Sequence, residues 1–455
     1  MNKVLFLEVI DRTLEGQYMS QEKFDLEVFV PELSKVINKY KIQYDPDIWV
    51  PNDDDLADRV FQAGLEFYQN VGTYCVDTER VVRFTEAEIL AALKAAVAEV
   101  YFGEGKDRRR LVGRKPDSSI SPFCFLGAGG VSVSSDELFV KLVQAYGEID
   151  IADSLTMPSM IQVNGRRVRP NSPLEVMAAI YSTRLMREGL ARAGRPGMPT
   201  MNAIACASSD VAKIAGSLGL RPTDGWMIGS TAELKVETPR LNEIAYVREL
   251  GGRIVAETTP LLGGYCGGPE GVAVASVAYH LHAIMILRGD CQLHAPLHIK
   301  HVCATDPRVL WALSLGAQAT TRNSHNPLMI SPFMAAGPME EMCFLETAAA
   351  VTAIIVSGSN LEGLITHGGA TTDLLGPLTT QFSGEVAHAV VGMDRKEADR
   401  IVGRLGEKYK GNLANAPKGK TYQQAYDLKT GKPLPESLQT YERMKKVIAD
   451  YGISG

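Results

Sequence analysis

The sequence predicts an α/β fold, a TIM-type (β/α)8 barrel with a helical N-terminal extension and a helical C-terminal tail. Three observations predict it. Short apolar runs alternate with helical stretches about eight times after residue 120. No G-x-G-x-x-G nucleotide fingerprint accompanies them. The 455 residues are too many for a small stapled scaffold and usual for a barrel with additions. An open doubly wound sheet is the alternative that the same alternation permits.

Residues 1–115 read as the extension. Leu56, Val60, Phe61, Leu65 and Phe67 recur near a 3.6-residue period over 53–72, which predicts an amphipathic helix. Thr85 and Glu88 are spaced as a capping box, hydroxyl and carboxylate each satisfying a free backbone donor, so another helix begins there. The charged stretch 105–115 reads as a solvated linker. The barrel is expected over 116–400, with strands at 123–127, 149–152, 201–205, 226–228, 253–256, 292–299, 328–330 and 363–366. Ser172-Pro173-Leu174-Glu175 opens a helix with a capping serine and proline in the first turn. Others begin after Thr238, Asp306 and Pro338. A polar helix starts at Asp394, and 401–455 forms the tail, with Tyr422, Tyr426 and Tyr441.

Composition narrows the function classes. Hydrophobic residues make up 45% and charged residues 22%, as in globular enzymes, and a net charge of −6 leaves no basic footprint for nucleic acid. Seven cysteines (Cys75, Cys124, Cys206, Cys266, Cys291, Cys303 and Cys343) show no C-x-x-C pair, and the start lacks a basic segment and cleavage site. A cytoplasmic protein with reduced thiols is expected. The longest apolar stretch, 271–287, falls short of the roughly 20 residues a membrane helix needs and reads as a buried core helix. His280 and His282 within it read as packing residues.

Barrel enzymes place their chemistry where strands end, so residues just after each apolar run are the candidates. Glu257 follows Ile254-Val255-Ala256 and precedes the glycine-rich run 263–268. A carboxylate there can bind a cation or act as a base; the plain alternative is a structural partner for a nearby arginine. The glycines suit either close approach of a large flat ligand or an ordinary turn. Gly127-Ala128-Gly129-Gly130 offers a weak anion cradle. The segment 291–303, with His294, His298, His301 and Cys303, is the best metal candidate. Zinc needs three or four converging ligands, however, and Pro296 rules out a regular helix, so buried histidines without metal are the expected outcome.

With those positions fixed, the chain resembles the monomethylamine:corrinoid methyltransferase family of methylotrophic archaea. The likeness runs from Tyr74-Cys75-Val76-Asp77-Thr78 through Ser172 to Val176, Thr183-Arg184-Leu185, Ala193 to Met198 and Glu233-Leu234-Lys235. It continues in the glycine run, Pro296-Leu297-His298-Ile299, Gly337 to Cys343, Ala416 to Thr421 and Tyr426-Asp427. The resemblance implies a barrel whose mouth receives a small corrinoid-binding protein. The cobalt(I) of that partner takes a methyl group from a small-molecule donor. It implies no permanently bound cofactor, and a homo-oligomer.

The family's hallmark pyrrolysine aligns with Met201, a family glutamate with Met227, and a glutamine and tyrosine with Ser331 and Phe333; only the glutamate at Glu257 is kept. Methionine offers no electrophile to activate methylamine. The expectation is therefore a donor that is already activated, such as a quaternary amine, with Glu257 as the catalytic group. Met201, Asn202, Trp226, Met227, Tyr265, Ser331 and Phe333 are expected to contact the substrate, the aromatic ones by cation–π contact. Two alternatives stay open: a zinc-dependent methyl thiol or alcohol methyltransferase using the 294–303 segment, and a non-catalytic binding protein for methylated compounds.

Overall fold

The computed structural model describes residues 3–202, 208–369 and 371–454. Two helices of the N-terminal part matter below: α1 (Lys3–Glu15) and α2 (Asp54–Val71). Asp53 caps α2 through Leu56 N, and its apolar stripe is buried.

Eight parallel strands follow: β1 (Cys124–Gly127), β2 (Ser154–Thr156), β3 (Met201–Asn202), β4 (Gly225–Gly229), β5 (Arg253–Thr258), β6 (Cys291–His294), β7 (Leu328–Ile330) and β8 (Asn360–Glu362). They lie in the order β3-β4-β5-β6-β7-β8-β1-β2, and a parallel bridge between Leu155 and Thr200 joins the two ends. The sheet thus curls into the expected TIM-type barrel rather than an open sheet. A helix follows each strand in turn: α3 (Asp136–Gly147), α4 (Pro173–Arg192), α5 (Asp210–Gly216), α6 (Thr238–Leu250), α7 (Pro269–Met285), α8 (Pro307–Asn323), α9 (Glu341–Val356) and α10 (Pro377–Ala389).

Two strands sit apart from their expected places. The second is at Ser154–Thr156, because Ile149 and Ala152 are buried in the turn that leaves α3. The eighth is at Asn360–Glu362, and only Ile365–Thr366 of the expected run pairs, with Phe333–Met334 at the barrel rim. Positions 203–205 of the expected third strand lie outside the described residues.

Gly127 shows why one residue type is needed at a crossing. Its φ is +127°, and a Cβ there would stand 2.6 Å from Thr156 O on the adjacent strand.

Helix α7 is buried on every side, which explains an apolar sequence with no polar face. The barrel lies beneath it and α2 packs across it and α8. His282 fits that interior through Thr73 Oγ1 at 2.8 Å and Ser230 Oγ at 3.0 Å, and His280 through Ser324 Oγ at 3.1 Å. Among the described residues, no helix is long and apolar enough to cross a membrane.

The lumen is plugged from its N-terminal end. A hairpin, Glu99–Phe102 with Arg109–Val112, pushes Val100, Phe102 and Leu111 against the inward side chains Phe125, Met201, Met227, Val255, Leu293 and Met329. The stretch read as a solvated linker therefore holds this hairpin's second strand.

Behind the hairpin, Arg114 is 1% exposed and donates to the carbonyls of Ile120, Ser118, Ile355 and Ser359, with burial holding its pKa down to about 10. Arg114→Met would leave those buried carbonyls without donors. It is expected to lower unfolding stability by roughly 3 kcal/mol, measured by denaturant titration.

Candidate active site

Strand alternation decides which side chains enter the lumen. Register pairs Met227 with Val255, Gly229 with Glu257, Glu257 with Leu293, and Leu293 with Met329; these are the inward positions. Asn360 and Glu362 follow on β8, where Glu362 pairs with Phe125. The intervening residues face the helices.

Glu257 therefore points into the lumen near the C-terminal end of β5. Its Oε2 lies 3.5 Å from where a Cβ at Gly229 would stand, so glycine leaves that flank of the carboxylate open. It keeps partial solvent access, yet protein surrounds it closely enough that burial raises its pKa. Lys213 on α5 and Arg240 on α6 oppose the rise from a distance. Neither pairs with it, because both are turned to Glu243, Lys213 Nζ at 3.6 Å. Among the described residues no cation lies within 4 Å of Glu257, so the reading of a structural carboxylate paired to an arginine does not describe it.

Sequence reasoning missed the second acid. Glu362, 5% exposed at the end of β8, is pushed up to about 8, first by burial and then by the negative charge of Glu257. Ser331, inward on the loop after β7, sits beside it and partly offsets the rise, although its Oγ lacks a hydrogen bond of good geometry. Two carboxyl groups thus share one lumen. At neutral pH the arrangement holds a proton on Glu362. The missed signal was Asn360-Leu361-Glu362, a strand whose inward residues are polar and so invisible to a search for apolar runs. Lys213 and Arg240 were missed for another reason: their helices come near β5 only in the folded chain.

The other expected residues divide. Met201 and Met227 are buried in the lumen beneath the carboxylates. Asn202 and Trp226 alternate to the outside. Asn202 Oδ1 accepts from Met157 N at 3.1 Å, and the Trp226 ring packs where a Cβ on Gly252 would lie 2.6 Å away. The structure thus corrects the placement of both at the barrel mouth. Phe333 is half-buried at the rim, in the short strand paired with Ile365. Tyr265 is 42% exposed, and Lys235 Nζ stands 5.9 Å from its ring centre, so that ring already has a cation from the protein. The glycine run forms a turn, Gly263 N donating to Gly267 O at 2.9 Å.

The metal candidates do not converge as a set. His294 faces outward against His280, with ring centres 6.0 Å apart, and burial holds its pKa down to about 3. Cys303 is fully buried elsewhere, its thiol pushed up to about 11. His298 and His301 come together with Asp306, their ligand atoms within 4.8 Å of one another. The Arg308 guanidinium occupies that space, 3.0 Å from His298 Nε2 and 2.9 Å from Asp306 Oδ2. His298 Nδ1 accepts from Lys300 N and His301 N.

The fold and this lumen define a TIM-type barrel with an acidic, methionine-floored site at the C-terminal ends of its strands. The family model described as "Monomethylamine methyltransferase MtmB" matches residues 4–453, and the chain belongs to that family. It is 31% identical over 451 residues to monomethylamine methyltransferase MtmB2 of Methanosarcina barkeri (strain Fusaro), covering 97% of each chain. It is likewise 31% identical over 458 residues to MtmB of Methanosarcina mazei, again covering 97% of each. The crystal structure of Methanosarcina barkeri MtmB superposes with a TM-score of 0.95 at 29% identity, covering 99% of this chain and 98% of that one. A crystal structure of a hydroxylamine MtmB complex gives the same values.

Proposed function

We propose that this protein is a methyltransferase that moves a methyl group from a quaternary, or otherwise activated, methylated amine to the corrinoid of a small partner protein docked at the barrel mouth. Membership of the monomethylamine methyltransferase family supports the reaction class. The observation that carries the substrate class is Glu257 facing the lumen with no cation within 4 Å among the described residues, above a floor of Met201 and Met227. The reading takes Met201 to stand where the family carries pyrrolysine.

The corrinoid supplies the nucleophile that takes the methyl group; the barrel's own residues bind and orient the donor. A quaternary nitrogen leaves as a neutral amine and needs no proton, so the transfer does not call on the proton that Glu362 holds. Glu257 offsets the fixed positive charge, and the methionine thioethers and the Phe333 edge accept N-methyl groups by apolar contact. A bound cation also favours ionised Glu362. Affinity should therefore rise as pH increases toward about 8, with release of a proton.

The test mixes purified protein, free cob(I)alamin and a panel of quaternary ammonium and sulfonium compounds, with methylamine as comparison. Methylcobalamin formed from at least one quaternary donor and not from methylamine is the expected result. Transfer from methylamine alone would overturn the substrate class. Saturable binding without transfer, even with a cognate corrinoid protein, would assign the barrel to the binding-protein alternative.

A further inference from the structure

At the opposite end of the barrel from the carboxylates lies a pocket of about 440 Å³ that takes no part in methyl transfer. Phe6, Leu7 and Ile10 of α1 form one wall, and Arg248, Arg253 and Arg288, from the end of α6, the start of β5 and the loop before β6, form the other. That volume is in the range of small-molecule sites.

The arginine wall is short of acceptors. Arg288 is 3% exposed, and among the described residues its side chain has neither an ion pair nor a hydrogen bond; its Nε is a buried donor without a partner. Arg248 Nε is a second such donor in the same wall. The nearest acid, Asp290, is committed: it pairs with Arg248 at 3.1 Å and accepts from Ile254 N at 2.8 Å. Glu249 also borders the pocket and is already engaged. Burial and the neighbouring Arg248 hold the Arg288 pKa down to about 10, as a guanidinium short of a counter-charge requires. A buried cation left in this state costs stability unless an anion completes it.

We propose that this pocket binds a small amphiphilic anion, its carboxylate or phosphate head on Arg288 and Arg248 and its apolar body against Phe6, Leu7 and Ile10. The ligand would tie α1 to the barrel wall. The inference is independent of the methyl-transfer reading, because the pocket lies away from the lumen.

Thermal shift and calorimetry on the full chain, with octanoate, octyl phosphate, inorganic phosphate and neutral octyl glucoside as probes, test it. Octanoate or octyl phosphate should raise Tm saturably by a few degrees, and octyl glucoside should not. Which of the two binds tighter identifies the head group, and inorganic phosphate alone should bind weakly. R288M should weaken binding about tenfold while leaving the ligand-free protein at least as stable as the parent. I10W, which fills the apolar wall and keeps all three arginines, should abolish binding. Equal binding by the parent and R288M would overturn the proposal. So would loss of several degrees by ligand-free R288M, which would make Arg288 a structural partner. A change of oligomeric state in R288M without loss of ligand binding would give the pocket to a second copy of the chain instead.

Discussion

Glu257→Gln is expected to lower kcat/KM for a quaternary donor about 100-fold, close to 3 kcal/mol of lost stabilisation, while leaving the fold intact. The size follows from the site. A fixed cation entering a lumen walled by methionine and phenylalanine gives up water, and Glu257 is the acid in that lumen that protein cations hold toward the ionised state. Glutamine keeps the shape and removes the charge. The loss should appear mainly in KM, because the charge on the donor is present before and during transfer. The same change should move the pH dependence. The negative charge of Glu257 raises the Glu362 pKa, so Glu257→Gln should shift the rise in affinity to lower pH. Unaltered kcat/KM in the variant would remove Glu257 from the site.

Glu362→Gln is expected to stabilise the protein, increasingly so as pH rises. The folded pKa of Glu362 is about 8 against an ordinary 4.5. Below about 4.5 the carboxyl is protonated in both states and nothing is lost. Between 4.5 and about 8 the unfolded chain ionises while the folded one does not, so stability falls steadily through that window and levels off above it. The full displacement corresponds to an upper bound on the order of 5 kcal/mol. Glutamine does not titrate. The difference in Tm between variant and parent should therefore be small at pH 5 and reach a few degrees by pH 8. At pH 7, where Glu362 holds its proton, the variant should still turn over, with a flattened pH profile. A difference in Tm that stays constant with pH would show that Glu362 is already ionised in the folded state.

Much of the barrel was legible in the sequence because each buried strand leaves an apolar run and each helix a start signal. Leu328–Ile330 falls where it was expected, and Ser172 and Asp306 cap the helices their side chains predict. The eighth strand was misplaced because Asn360 and Glu362 turn polar side chains inward, one to hold the backbone at Phe123 N and the other to face the lumen. The candidate site was legible one strand at a time. Glu257 was found from its position at a strand end, and Met201 and Met227 from the family resemblance. Asn202 and Trp226, each one residue from an inward neighbour, turn to the outside, since a shift of a single position reverses the face. Whether Glu257 had a partner, and that Glu362 faced it, depended on pairing between strands and on helices distant in the chain.

The hairpin that carries Val100, Phe102 and Leu111 closes the foot of the barrel, which makes the chamber a cul-de-sac. On the proposed reading, donor, methyl acceptor and demethylated amine then share the doorway at the C-terminal ends of the strands. If the corrinoid protein seats on that doorway, the donor has to enter first and the spent amine waits until the partner departs. Traffic would be compulsorily ordered, and excess corrinoid protein should inhibit by sealing an empty chamber.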